Sequence, residues 1–109
     1  KMKITHYKKE KSFLINLNKD VDICIKCEDN VGNFYDKERQ TRMYFVDYFD
    51  DSKIITDKQY QQGKRTYPYC EHSGYNYQLS EVFDELYLAI EYIENNFQIP
   101  KTTTKQIKF

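Results

Sequence analysis

Apolar and polar residues alternate in two early runs of the chain. Phe13, Ile15 and Leu17 share one parity. After Asn18-Lys19-Asp20, which reads as a turn, so do Val21, Ile23, Ile25 and Cys27, with Asp22, Cys24 and Lys26 between them. A period of two puts each set on one face of a strand, and the short connection predicts an antiparallel pair. Ahead of them, residues 1–11 form a basic start that either frays or makes a short edge strand over Ile4-Thr5-His6-Tyr7. Glu28 to Asn33 reads as a loop. The run TRMYFVDYF from Thr41 to Phe49 is the most β-prone in the chain, rich in aromatic and branched residues. Asp50-Asp51-Ser52 is expected to turn it into a short return strand over Lys53-Ile54-Ile55-Thr56.

From 57 to 78 no period is convincing. With Gln61, Gln62, Gly63, Pro68 and Gly74 the segment reads as a long loop, and structureless loops of that length in a compact domain are usually functional. The stretch 79–97 (LSEVFDELYLAIEYIENNF) has a different period. Leu79, Val82, Leu86, Ala89, Ile90, Ile93 and Phe97 recur at steps of three and four, the signature of one helix face. Ser80 suits the N-cap, acids follow it, and Asn95-Asn96 and Pro100 supply a stop. Such a helix is roughly 28 Å long and needs an opposing layer for its apolar stripe. Residues 98–109 form a basic tail in which Ile107 and Phe109 offer a further edge strand.

These patterns predict one α+β domain spanning 1–109. It has an antiparallel sheet of about four strands, with one long C-terminal amphipathic helix packed on one face. The expected core comprises Phe13, Ile15, Val21, Ile23, Ile25, Met43, Phe45, Val82, Leu86, Ile90 and Ile93.

Composition changes the picture in three ways. Lys, Asn, Ile, Tyr and Phe make up 49 of the 109 residues, Lys outnumbers Arg 14 to 3, and there is one Ala. Those residues have AT-rich codons, which points to a low-GC genome or one of its phages and weakens any functional reading of the lysine and tyrosine excess. Three cysteines, an odd number, fit a reducing compartment better than a disulfide framework. No run approaches the ~20 apolar residues of a membrane span, and no secretory signal is visible, so the expected location is cytoplasmic. Lys1 precedes Met2, and Met2 is the expected natural start.

The net charge is zero, but it is segregated. Residues 1–11 carry +4 and 98–109 carry +3, whereas 20–57 and 79–97 each carry −5. Blocks of one sign suit either internal attraction or the steering of an oppositely charged partner.

Candidate chemistry is sparse. Cys24, Cys27, Cys70 and His72 make up a possible Cys₃His zinc set, since paired ligands a few residues apart can converge on a tetrahedral ion. A regular strand would, however, send Cys24 and Cys27 to opposite faces. Cys70 with His72 is the only local thiol–base pair, and no third group orients it. Asp47, Asp50 and Asp51 offer carboxylates for a hard cation or simply a solvated turn. Three glycines leave no phosphate-binding loop. Lys64, Arg65, Tyr67 and Tyr69 mix cations with aromatics in the manner of a single-strand nucleic-acid contact, without the basic balance that usually accompanies it.

On the helix, Leu88 and Tyr92 are expected to point away from the core among Glu81, Asp84, Glu85 and Glu91, as an apolar anchor with an acidic rim. The sequence therefore suggests a small non-enzymatic interaction protein without a required cofactor. Its expected partner is a protein with a basic surface. A phage or mobile-element inhibitor of a host macromolecule, such as a CRISPR-type defence nuclease, fits that description. A zinc-stabilised or nucleic-acid-binding adaptor is the alternative.

Overall fold

The computed structural model describes residues 2–32, 41–56, 58, 65–69 and 75–109. Its strands are β1 (Lys3–Tyr7), β2 (Ser12–Asn16), β3 (Val21–Val31), β4 (Thr41–Ile55), β5 (Arg65–Tyr69) and β6 (Tyr75–Phe83), followed by helices α1 (Leu86–Phe97) and α2 (Lys101–Thr104). The strands form one six-stranded antiparallel sheet in the order β1-β2-β3-β4-β6-β5.

The alternation in the sequence sets the register. Phe13 faces Ile25, which faces Val46, and Ile15 faces Ile23, which faces Tyr48. These two cross-strand rows form the apolar face, and α1 lies over it. Ile15, Ile23, Ile25, Val46 and Ile93 are fully buried, each stabilising the fold by about 1.5–3 kcal/mol relative to exposure. Ala89, the only alanine in the chain, is also fully buried, at a point where a larger side chain would hold the helix off the sheet. Ile99 and Ile107 close the same core from beyond the helix, and Thr104 donates from its hydroxyl to Glu94 Oε2 at 2.6 Å, tying α2 to α1.

The α+β class is as expected; its proportions are not. There are six strands rather than four, and α1 has 12 residues, about 18 Å, rather than 19. The missing residues of the expected helix belong to β6. By spacing LSEVF fits a helical stripe better than a strand, since a strand sends Val82 to the face opposite Leu79 and Phe83, and the aromatic-rich outer edge of β4 overrides that preference. Left unpaired, that edge would expose a row of backbone donors and acceptors. In β6, Phe83, Val82, Glu81, Ser80 and Leu79 instead pair with residues 44–48. Ser80 therefore caps no helix; its hydroxyl donates across the ladder to Asp47 Oδ1. The helix N-cap is Glu85, which makes no side-chain cap.

Other boundaries shift for similar reasons. Asp50-Asp51-Ser52 does not turn the chain back. β4 runs on to Ile55, and the irregularity appears as a register shift between Asp50 and Ile54. The expected 57–78 loop contains β5 and the start of β6. The tail forms α2 and buries Ile107 rather than adding a strand. β1 is the edge strand that the basic start allowed. Of the expected core, Val82 is 51% exposed, while Met43 and Phe45 have the parity of Glu28 and Lys26 and lie on the sheet's other face. Val21 is half-buried at the start of its strand.

Candidate functional site

Helix α1 buries Ala89 and Ile93 and sets Leu86 and Ile90 at the edge of the contact. That phase leaves Glu85, Tyr87 and Glu91 in solvent, and Tyr87 is 61% exposed. A groove of about 600 Å³ runs along this flank, between α1 and Tyr44 of β4. Leu86 and Ile90 give it an apolar lining, and Glu85, Glu91 and Glu94 give it negative charge. Lys101 is the only cation among the described residues that line it. Chemically, the groove offers carboxylate acceptors around an exposed phenol ring, an arrangement that suits a cationic or amphipathic group better than an anion.

The structure keeps the acidic part of the expected surface and changes its anchor. Glu85 and Glu91 line the groove, Asp84 is exposed just before the helix, and Glu81 lines a separate cleft. Tyr92 is turned inward, its ring 5.4 Å from that of Phe83 and 6.1 Å from that of Phe97, and Leu88 beside it is half-buried. At about 100° per residue, Tyr92 stands about 80° and Tyr87 about 140° from the midpoint of the buried Ala89 and Ile93, so Tyr92 is the nearer to the core. Phe83 completes its cover. As a β6 residue it reaches the Tyr92 flank, leaving Tyr87 as the exposed aromatic. Tyr44 and Glu94 are the other contributors that the sequence did not single out, because they meet the helix flank only in the folded chain.

The second cleft, about 300 Å³, lies on the sheet face that α1 does not cover, where Phe45 and Val82 pair across β4 and β6 beside Lys26 and Asp47. Cys24 has the parity of this face and Cys27 that of the core, where it is buried. The two thiols therefore do not converge, and Cys70 and His72 lie outside the described residues. Burial pushes both thiols up, with Asp47 adding to the effect at Cys24, so both stay protonated at neutral pH. Asp47 and Asp50 likewise point to opposite faces, and among the described residues no group of three or more His, Cys, Asp or Glu is placed to hold a metal. Of the candidate nucleic-acid residues, Lys64 lies outside the described residues, and Arg65, Tyr67 and Tyr69 fall on β5, an edge strand of the sheet. No helix among the described residues is long and apolar enough to cross a membrane.

No protein-family model, curated protein or solved structure matches this chain.

Proposed function

We propose that this protein acts by binding, without catalysis, and that its acidic groove docks a basic surface on another protein. The observation that supports this is the groove itself: an exposed Tyr87 beside Glu85, Glu91 and Glu94, with apolar lining from Leu86 and Ile90. Aromatic anchors inside a polar rim are the arrangement that carries most binding energy at protein interfaces, and complementary charge speeds the encounter. Proteins that handle nucleic acid present basic channels, because they must neutralise phosphates. An acidic surface with an aromatic anchor fits such a channel. With a composition that suggests a phage or mobile-element gene, the favoured reading is an inhibitor of a host nucleic-acid enzyme of the defence-nuclease type, acting in the cytoplasm.

The test is inhibition of DNA cleavage by a panel of RNA-guided nucleases, with complex formation followed by gel filtration. The wild-type chain is expected to inhibit at least one of them. Tyr87→Ala with Glu91→Lys is expected to weaken that complex by about 2 kcal/mol or more, as for an interface anchor, while leaving the melting temperature in place. Inhibition that survives the double change would move the site elsewhere on the molecule.

A further inference from the structure

A third pocket, of about 200 Å³, has an electrostatic character opposite to that of the acidic groove. Lys8 and Lys11 of the β1–β2 turn, Arg42 at the start of β4, and Lys108 converge on it, with His6, Cys27 and Phe109 completing its lining. Four cations from three separate parts of the chain meet here, and the fold fixes two of them. Lys11 has positive φ (51°), a conformation that costs a non-glycine residue about 1–2 kcal/mol. Its carbonyl accepts from the Cys27 amide at 2.9 Å, and its Nζ donates to Asp29 Oδ2 at 2.6 Å. Arg42 Nε donates to Asp29 Oδ1 at 2.7 Å. One carboxylate thus orients two cations without neutralising both. Lys8 and Lys108 have no ion-pair partner among the described residues.

The rest of the lining is apolar and aromatic. His6 is exposed, while one face of its ring stacks on Phe13 at 4.0 Å. Phe109 packs edge-on against Phe13 at 5.3 Å and lies 5.7 Å from Tyr44. Tyr44 also lines the acidic groove, so the two sites of opposite charge adjoin across one side chain. The Cys27 thiol stays neutral because burial raises its pKa, and it adds no negative charge.

We infer that this pocket binds a nucleoside phosphate, with the base in its largely apolar interior against His6 and Phe109 and the phosphate held by the cations at its mouth. Four cations against one aspartate leave about three positive charges, which match a phosphate better than a single carboxylate. The volume is below the roughly 300 Å³ of pockets that enclose a whole drug-sized ligand. The flat base enters, where stacking on a ring is independent of base identity, and the charged remainder stays at the cationic rim. The nucleoside phosphate is either a free nucleotide or the end of a strand.

The test is titration of the isotope-labelled full chain, followed by amide NMR, with adenosine monophosphate, adenosine or inorganic phosphate. Adenosine monophosphate is expected to shift the amides of His6, Lys8, Lys11 and Cys27, with affinity falling as salt rises from about 50 to 200 mM. Adenosine and inorganic phosphate are expected to bind at least about tenfold more weakly, the equivalent of 1.4 kcal/mol. Lys8→Glu with Lys108→Glu, both exposed sites, should remove the shifts and leave the melting temperature unchanged. Tyr87→Ala with Glu91→Lys should leave them intact, which separates this site from the acidic groove. A short oligonucleotide with and without its 5′-phosphate then distinguishes a strand end from a free nucleotide as the source. Silence of those amides at about 10 mM adenosine monophosphate would overturn the inference, since that concentration detects even millimolar affinity. So would equal binding of adenosine, which removes the phosphate from recognition, or of inorganic phosphate, which removes the base.

Discussion

Arg42 donates from Nε to Oδ1 of Asp29 at 2.7 Å, across the irregular end of the β3–β4 ladder. With Lys11 on the other oxygen, the Arg42 bond holds the Asp29 carboxyl down to about 2, from an ordinary 3.8. A folded value below the unfolded one means that the contribution to stability is fully present above about pH 4 and is lost as pH falls toward 2. Carboxyl-carbon NMR is expected to find Asp29 titrating near 2, and Arg42→Gln to return it most of the way to the ordinary range. Melting curves of the wild type and Asp29→Asn should differ above pH 4 and converge near pH 2. An Asp29 that titrates normally would show that the triad does not hold in solution.

Asp50 is buried at the irregularity in β4, and its oxygens are all used. Tyr48 Oη donates to Oδ2 at 2.7 Å, and the Ser52 amide and hydroxyl donate to Oδ1 at 3.0 and 2.5 Å. Burial alone would raise its pKa, but the donors from Ser52 and Tyr48 outweigh that and lower it. Asp50→Ala is expected to destabilise the fold by about 2–3 kcal/mol in urea unfolding, because it strands donors around a buried site. Asp50→Asn keeps one acceptor oxygen and should cost less. As with Asp29, the depressed value places the stabilisation above the ordinary aspartate range and removes it in acid. Equal, near-zero losses for both changes would exclude the network as a stabilising element.

Gln98 ends α1 in the left-handed region, with φ 53° and ψ 40°. That conformation is the usual helix stop and favours glycine, because Cβ crowds the backbone there. Gln98→Gly is expected to raise stability by about 1 kcal/mol, or the melting temperature by about 4 °C. Gln98→Val should lower it, since branching at Cβ worsens the same clash. Calorimetry that ranks valine above glycine would contradict the geometry.

How far the fold is legible in the sequence differs from element to element, for physical reasons. β2 and β3 announce themselves because one face is buried and the other is not, so a period of two survives in Phe13, Ile15, Ile23 and Ile25. β6 does not. Leu79, Val82 and Phe83 have helical spacing, and only the need to pair the edge of β4, a non-local effect, makes the segment extended and leaves Val82 exposed. β5 hides behind Pro68, which reads as a loop signal. A proline is tolerated at a sheet edge or irregularity, and the β5–β6 register breaks between Thr66 and Tyr69, the span that holds Pro68. The acidic character of the candidate groove is visible in residues 79–97, since charge does not depend on packing. Its aromatic anchor is not, because which flank of a helix is covered depends on a neighbour elsewhere in the chain. The basic pocket is harder still: Lys8, Arg42 and Lys108 are far apart in sequence and meet only through the sheet.

The choice between Tyr87 and Tyr92 as anchor is open to a measurement that needs no partner. Both are tyrosines on α1, five positions apart, and Tyr92 is the anchor expected at the surface from the sequence. In the structure Tyr92 packs against Phe83 and Phe97 beside the core, and Tyr87 is 61% exposed. Truncating a half-buried aromatic removes apolar burial and leaves a cavity, so Tyr92→Ser is expected to cost about 2 kcal/mol, or about 10 °C in melting temperature. Tyr87→Ser removes side-chain surface that is already wet and should stay within about 0.5 kcal/mol of the wild type. Leu88→Ser, at a half-buried position, should fall between them. If Tyr87 proved the costlier of the two tyrosines, the covered flank of α1 would be the one assigned here to docking. The acidic groove would then be an interior feature of the fold, and a partner would have to be sought on the uncovered face of the sheet.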